Sequence, residues 1–172
     1  MFRFVNKGAS EDAMSYAYIE SHHIQDIIMN TTTATVPELV YKWTEMYCEA
    51  LKHDYIQYSI RMHKRSQSVE DPIGYHQQCI DKLKNGESDY SYEIEKGRKY
   101  LKVIMVIDHG PNRLGASRSV HAFIDKNTGE VYMAASWKSP ARNGVRFDMR
   151  LIEDRERLYE NCRWSGGHLY KR

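Results

Sequence analysis

Trp137, Lys138, Arg142 and Arg146 fall within one short stretch, SWKSPARNGVR. An indole offers a flat face on which a nucleobase stacks, worth roughly 1–3 kcal/mol per base. Arginine forks match phosphate oxygens two at a time, which the point charge of a lysine cannot do. Ser136 and Ser139 add hydroxyl donors, and Pro140 stiffens the loop between them. Arg118, His121 and Tyr132 stand on the segments immediately before it. Together Arg118, His121, Tyr132, Ser136, Trp137, Lys138, Arg142 and Arg146 make a candidate surface for an anionic, nucleotide-derived ligand. Trp137 or Tyr132 would stack the base and the arginines would hold phosphates. The plainer alternatives put Trp137 in the core and pair the arginines with the acids of IEDRERLYE. That segment already holds its own bases, which weakens the second alternative.

Acid–base chemistry has less to work with. His121, with Asp125 or Asp108 as partner, is the one candidate for a small hydrolase or nuclease. A lone histidine beside apolar neighbours is more often structural, so no catalytic residue is assigned. Asp125 sits where an Asx-type turn residue would sit. His22, His23, His53, His63, His76, His109 and His168 lack the i,i+4 or HxH spacing of a metal site. HExxH, GxSxG, P-loop and GxGxxG patterns are absent. No metal or cofactor is expected.

Charge sharpens the anion reading. Lys96 through Arg146 contain ten Lys and Arg against three acids, although the whole chain is only +2. The rest of the sequence is therefore net acidic, and the basic stretch should attract anions. Lysines guarding a sheet edge are the alternative. Three scattered cysteines, Cys48, Cys79 and Cys162, form no CxxC pair and read as small buried hydrophobes in a reducing compartment. No apolar run is long enough for a signal peptide or a membrane span, so a cytoplasmic protein is expected.

The elements that must position these residues change character along the chain. With 41% apolar and 28% charged residues, the 172-residue sequence reads as one globular domain. Residues 1–34 read as an N-terminal extension, with a modest helix over 11–29. Residues 35–86 read as helical. Thr35 and Glu38 make a capping box with Pro37 in the first turn. Val36, Leu39, Val40, Trp43, Met46, Tyr47, Ala50, Leu51, Tyr55 and Tyr58 then recur at helical spacing into the mid-sixties. A second helix is expected from Asp71-Pro72 to Asn85-Gly86.

Past Gly86 the period becomes two, and residues 87–147 read as an antiparallel sheet. KYLKVIMVID is apolar on both faces, as in a central strand. SVHAFID and EVYMAAS form a hairpin over KNTG, with Gly129 placed for a positive φ. Alternation puts Ser119, His121, Phe123 and Asp125 on one face. From about Phe147 onward, with 148–162 as its body, the chain reads as a helix with Met149, Ile152, Leu158 and Tyr159 on one side. Helices, a meander and a final helix make an α+β fold. The Tyr-rich long helix could also bury itself against a second copy of the chain.

RSVHAFIDKNTGEVYMAASWKSPARNGVRFDMR resembles a recurring segment of small, uncharacterised accessory proteins of tailed bacteriophages. There a VHAF-like strand, a TG turn and an SWK-P-A tail precede a VRF-like strand, and the similarity runs over about residues 92–150. The resemblance implies a phage origin, work in the host cytoplasm and, by class analogy, capture of a host immune signalling nucleotide. The other readings are a nucleic-acid-binding accessory protein using the basic sheet as a strip, and a virion or assembly component.

Overall fold

A computed structural model describes residues 34–67, 74–110 and 115–170 of the chain. The chain divides into two units, residues 1–35 and Val36–Arg172. The second unit carries the architecture, and the helix expected over 11–29 lies outside the described residues. Helix α1 is Val36–Ser66 and α2 is Tyr75–Lys84. Five strands follow: β1 Tyr90–Lys96, β2 Tyr100–Ile107, β3 Ser117–Asp125, β4 Glu130–Met133 and β5 Phe147–Asp148. Helix α3, Ile152–Asn161, and a 3-10 turn at Gly167–Leu169 close the chain. The strands run β1-β2-β3-β4-β5 in spatial order, every pair antiparallel. The fold is α+β, as the periodicities imply.

Helix α1 starts directly after Thr35, with Glu38 in its first turn and His63, Lys64 and Arg65 in its last. Both sets of charges complement the helix dipole. Val40, Thr44, Tyr47, Cys48 and Leu51 are buried at helical spacing. The Thr44 hydroxyl donates to the Val40 carbonyl at 2.7 Å, so its burial leaves no orphan. Val36 and Tyr58, at the two ends of the expected stripe, are exposed instead. Helix α2 begins at Tyr75, later than the expected start; Asp71 and Pro72 lie outside the described residues. Ile80 and Leu83 pack with Ile60 in a small second cluster.

The sheet's inner face sets the main core. Leu101, Ile124, Val131 and Phe147 stand opposite one another across β2, β3, β4 and β5. All four are buried with Val40, Tyr47 and Leu51 of α1 and Leu158 of α3. Each such side chain contributes about 1.5–3 kcal/mol. On the opposite face Glu95, Lys102, Phe123 and Tyr132 form the matching row.

The SVHAFID alternation is broken by one residue. Val103 pairs with Ala122, but Ile104 pairs with Val120, leaving His121 without a partner in a β-bulge. A bulge turns its extra residue to the same side as its neighbour. His121 therefore faces inward, against Tyr47 of α1 and Tyr92 of β1. Phe123 remains on the outer face against Tyr100. The expected shared face of His121 and Phe123 is thus corrected, because strict alternation cannot register an inserted residue.

Two further expectations change. Phe147–Asp148 is a short strand paired with Glu130–Val131, not the start of a helix. Ile152 is 60% exposed at the first turn of α3, whereas Met149 and Leu158 are fully buried. The KNTG turn is as expected. Gly129 has φ 72, and the Asp125 carboxylate accepts the backbone N–H groups of Asn127 and Thr128.

Candidate functional site: an arginine-lined cleft

The segment after β4 builds two different environments. Ala134 bridges to Pro140, and the N–H groups of Ala135 and Ser136 both donate to the Ser139 carbonyl. The Ser136 hydroxyl accepts the Lys138 N–H at 3.2 Å and lies 3.0 Å from the Ser139 hydroxyl. Both hydroxyls thus shape the turn. Trp137 stands at its tip, 43% exposed, with the Lys102 ammonium 5.6 Å from its ring centre. Lys138 and Arg142 are exposed.

The cations of the outer sheet face have acid partners. Arg118 pairs with Glu93 at 2.7 Å, Lys102 with Glu95 and Lys99 with Asp125. The Tyr132 hydroxyl donates to Glu130 at 2.8 Å. Burial and that carboxylate together push its ionisation well above the usual phenol range.

Arg146 turns the other way. Its backbone N–H donates to the Val131 carbonyl, beside β5, and its side chain reaches the C-terminal turn. Nε donates to the Leu169 carbonyl at 2.5 Å, and Nη1 donates to the carbonyls of Asn143 and Gly144. Nη2 is buried and has no protein partner. Three carbonyl dipoles orient this guanidinium, and among the described residues no carboxylate pairs with it.

Arg146 forms one wall of an open cleft of about 560 Å³. Arg157 and Asn161 of α3 form another, one helical turn apart. Arg163, Gly167 and His168 of the C-terminal turn complete it over Phe147. No carboxylate is among these lining residues. Arg157 lies over the Phe147 ring at 5.6 Å and is also paired with Asp154. Arg163 meets Asp54 only at 3.5 Å. A second groove of about 400 Å³ carries Lys42, Lys96 and Lys126 but also Glu38 and Glu45, so its charge is mixed.

The cleft floor is anchored to α1. Asp54 accepts the Trp164 N–H at 2.9 Å, and the Tyr92 hydroxyl donates to the Trp164 carbonyl. The Arg163 N–H donates to His168 Nδ1 at 3.0 Å, so the ring proton of His168 sits on Nε2. Nε2–H then donates to the Tyr47 hydroxyl at 2.6 Å. Both ring nitrogens of His168 are therefore engaged within the protein. Burial, then the charge of Arg163, lowers its pKa to about 4. His121 lies behind it, ring centres 5.7 Å apart and planes tilted by 31°. Burial, then His168, lowers its pKa to about 3, and its Nε2 has no partner.

Of the eight expected ligand-binding residues, the structure brings only Arg146 into this cleft. Arg118 and Tyr132 stand with the Trp137 platform on the outer side, Ser136, Lys138 and Arg142 on its loop, and His121, half-buried, on the inner face. Sequence reasoning missed Arg157, Asn161, Arg163 and His168. The i,i+4 spacing of Arg157 and Asn161 was the legible signal. The return of the C-terminal turn was not.

Fold and site define an α+β protein with an arginine-lined cleft and, among the described residues, no cluster of three or more His, Cys, Asp or Glu able to hold a metal. Nor is any described helix long and apolar enough to cross a membrane. The chain belongs to a family of unknown function, DUF7717, whose profile matches residues 18–171. No curated protein and no solved structure matches the chain.

Proposed function

We propose that the protein is a binding module that captures a phosphate-bearing, nucleotide-derived small molecule in the Arg146–Arg157–Arg163 cleft. The observation that carries this reading is a nucleotide-sized cleft with three guanidinium groups and no carboxylate on its walls. About 560 Å³ lies within the 300–1,000 Å³ typical of small-ligand sites. Arg146, oriented by carbonyls and unneutralised, supplies a fixed positive potential there. The ligand is anionic because nothing else on these walls would match it.

The module acts by occupancy. In the phage setting implied by the sequence resemblance, it keeps a host immune signalling nucleotide from its effector in the host cytoplasm. Turnover by histidine has little support, since His168 has both ring nitrogens engaged and the His121 Nε2 is buried. A nucleic-acid strip along the sheet has less support than the cleft, since the outer-face cations Lys99, Lys102 and Arg118 already have acid partners.

Calorimetric titration of nucleoside phosphates, cyclic nucleotides and ADP-ribose derivatives tests the reading, with Arg157→Ala and Arg163→Ala as controls. Micromolar binding that weakens at least tenfold in the double variant is expected. Absence of binding to every compound, or equal binding by the double variant, overturns it. Affinity that falls with salt as steeply as several neutralised phosphates require would point to nucleic acid instead.

A further inference from the structure

We infer that the cleft takes the terminal, dianionic phosphate of a phosphomonoester and discriminates against phosphodiesters. This deepens the proposed function and rests on its assignment of the ligand to the cleft. Arg146 enters from the β4–β5 connection, Arg157 from α3 and Arg163 from the C-terminal turn. Arg157 has one acid partner, Asp154, and Arg163 has the long contact to Asp54. Among the described residues Arg146 has only carbonyl partners, so one guanidinium charge stays whole at the wall.

Attraction in such a site scales with ligand charge. A phosphomonoester carries about −1.5 to −2 at pH 7, with a second ionisation near pH 6. A phosphodiester carries one charge at any pH above its first ionisation. The walls also carry no exposed phenyl, phenol or indole ring. Phe147 is only 8% exposed, with Arg157 over its ring. Trp137 belongs to the turn on the other side of the sheet. The cleft thus reads the phosphate and leaves the base unread.

His168 does not reverse the pH trend. Its Nδ1 accepts the Arg163 N–H and its Nε2–H donates to Tyr47, which holds the ring neutral above about pH 5. His168 is the one histidine among the lining residues and no carboxylate is among them, so below pH 7 the fall in affinity follows the ligand phosphate.

The test is calorimetry with AMP, inorganic phosphate and 3′,5′-cyclic AMP on the full chain between pH 5.5 and 7.5. At pH 7.5 AMP and phosphate should each bind at least tenfold more tightly than cyclic AMP. AMP affinity should fall severalfold on going to pH 5.5, while cyclic AMP affinity stays flat. Arg163→Gln, at an exposed side chain, should reduce the AMP preference without unfolding the protein. Equal binding of AMP and cyclic AMP overturns this inference and leaves the cleft assignment standing. Binding of none of the three removes the cleft assignment as well.

Discussion

Trp137 and Arg146 belong to one short segment, yet they end in opposite kinds of surroundings. At the Trp137 tip, polar groups satisfy one another: Ser136 with Ser139 and the Lys138 backbone N–H, and Lys102 with Glu95 beneath the indole. At Arg146 the guanidinium is held by three carbonyls and has a buried nitrogen without a partner. The difference teaches that a count of cations does not locate an anion site. What matters is which cations the fold gathers around one cleft and how it orients them.

The largest expected contrast between the two regions is a pH effect beneath the cleft. His121 and His168 have folded pKa values of about 3 and 4, below the unfolded value near 6.5. The unfolded chain therefore binds protons first as pH falls. Stability is full above about pH 6.5 and drops as pH descends from there toward the folded values. At pH 5 the loss is about 2 kcal/mol per histidine, read from urea unfolding at pH 7 and pH 5. His121→Leu should remove about half of that slope, and Trp137→Ala should leave it intact. A wild-type stability flat from pH 7 to 5 would refute the buried neutral pair.

Arg146→Met comes next. It leaves the Leu169, Asn143 and Gly144 carbonyls without their charged donor, at a cost of about 1.5–3 kcal/mol. Arg142→Ala, on the exposed loop between the two regions, should stay within about 0.5 kcal/mol. Equal denaturation midpoints for the two variants would erase the distinction between them.

Much of this contrast was hidden from the sequence for identifiable reasons. The α1 stripe from Val40 to Leu51, the apolar β2 and the Gly129 turn were legible because each depends on local periodicity or one backbone constraint. His121 was misplaced because a bulge shifts the face of a residue without changing the pattern around it. Asp148 reads as helix, at the junction of sheet and helix, because two residues of strand carry no period of their own. The cleft escaped because its walls come from the β4–β5 connection, α3 and the last turn. Only tertiary packing brings Arg146 to Arg157 and Arg163. Arg146 was legible as a phosphate ligand type, and its true neighbours were not.

The remaining tests separate binding from surface charge. Arg157→Ala with Arg163→Ala should lower affinity for a bound nucleotide at least tenfold, about 1.4 kcal/mol, in the titrations described above. Lys138→Ala with Arg142→Ala should change it less than threefold. The reverse ranking would move the site to the Trp137 loop.

The smallest effect belongs to the outer face. Arg118 and Glu93 are each about half exposed and sit across β1 and β3, so water screens their attraction. Exposed pairs of this kind contribute about 0.2–1 kcal/mol. Arg118→Ala should therefore cost less than 1 kcal/mol in urea unfolding, and a double-mutant cycle with Glu93→Ala should return a coupling within that range. Glu93→Ala alone has a further use, because it releases Arg118 from its carboxylate. If freeing that cation creates anion binding at the sheet, the acid partner is what silences the outer face. If it does not, the shape of the cleft matters as much as its unneutralised charge.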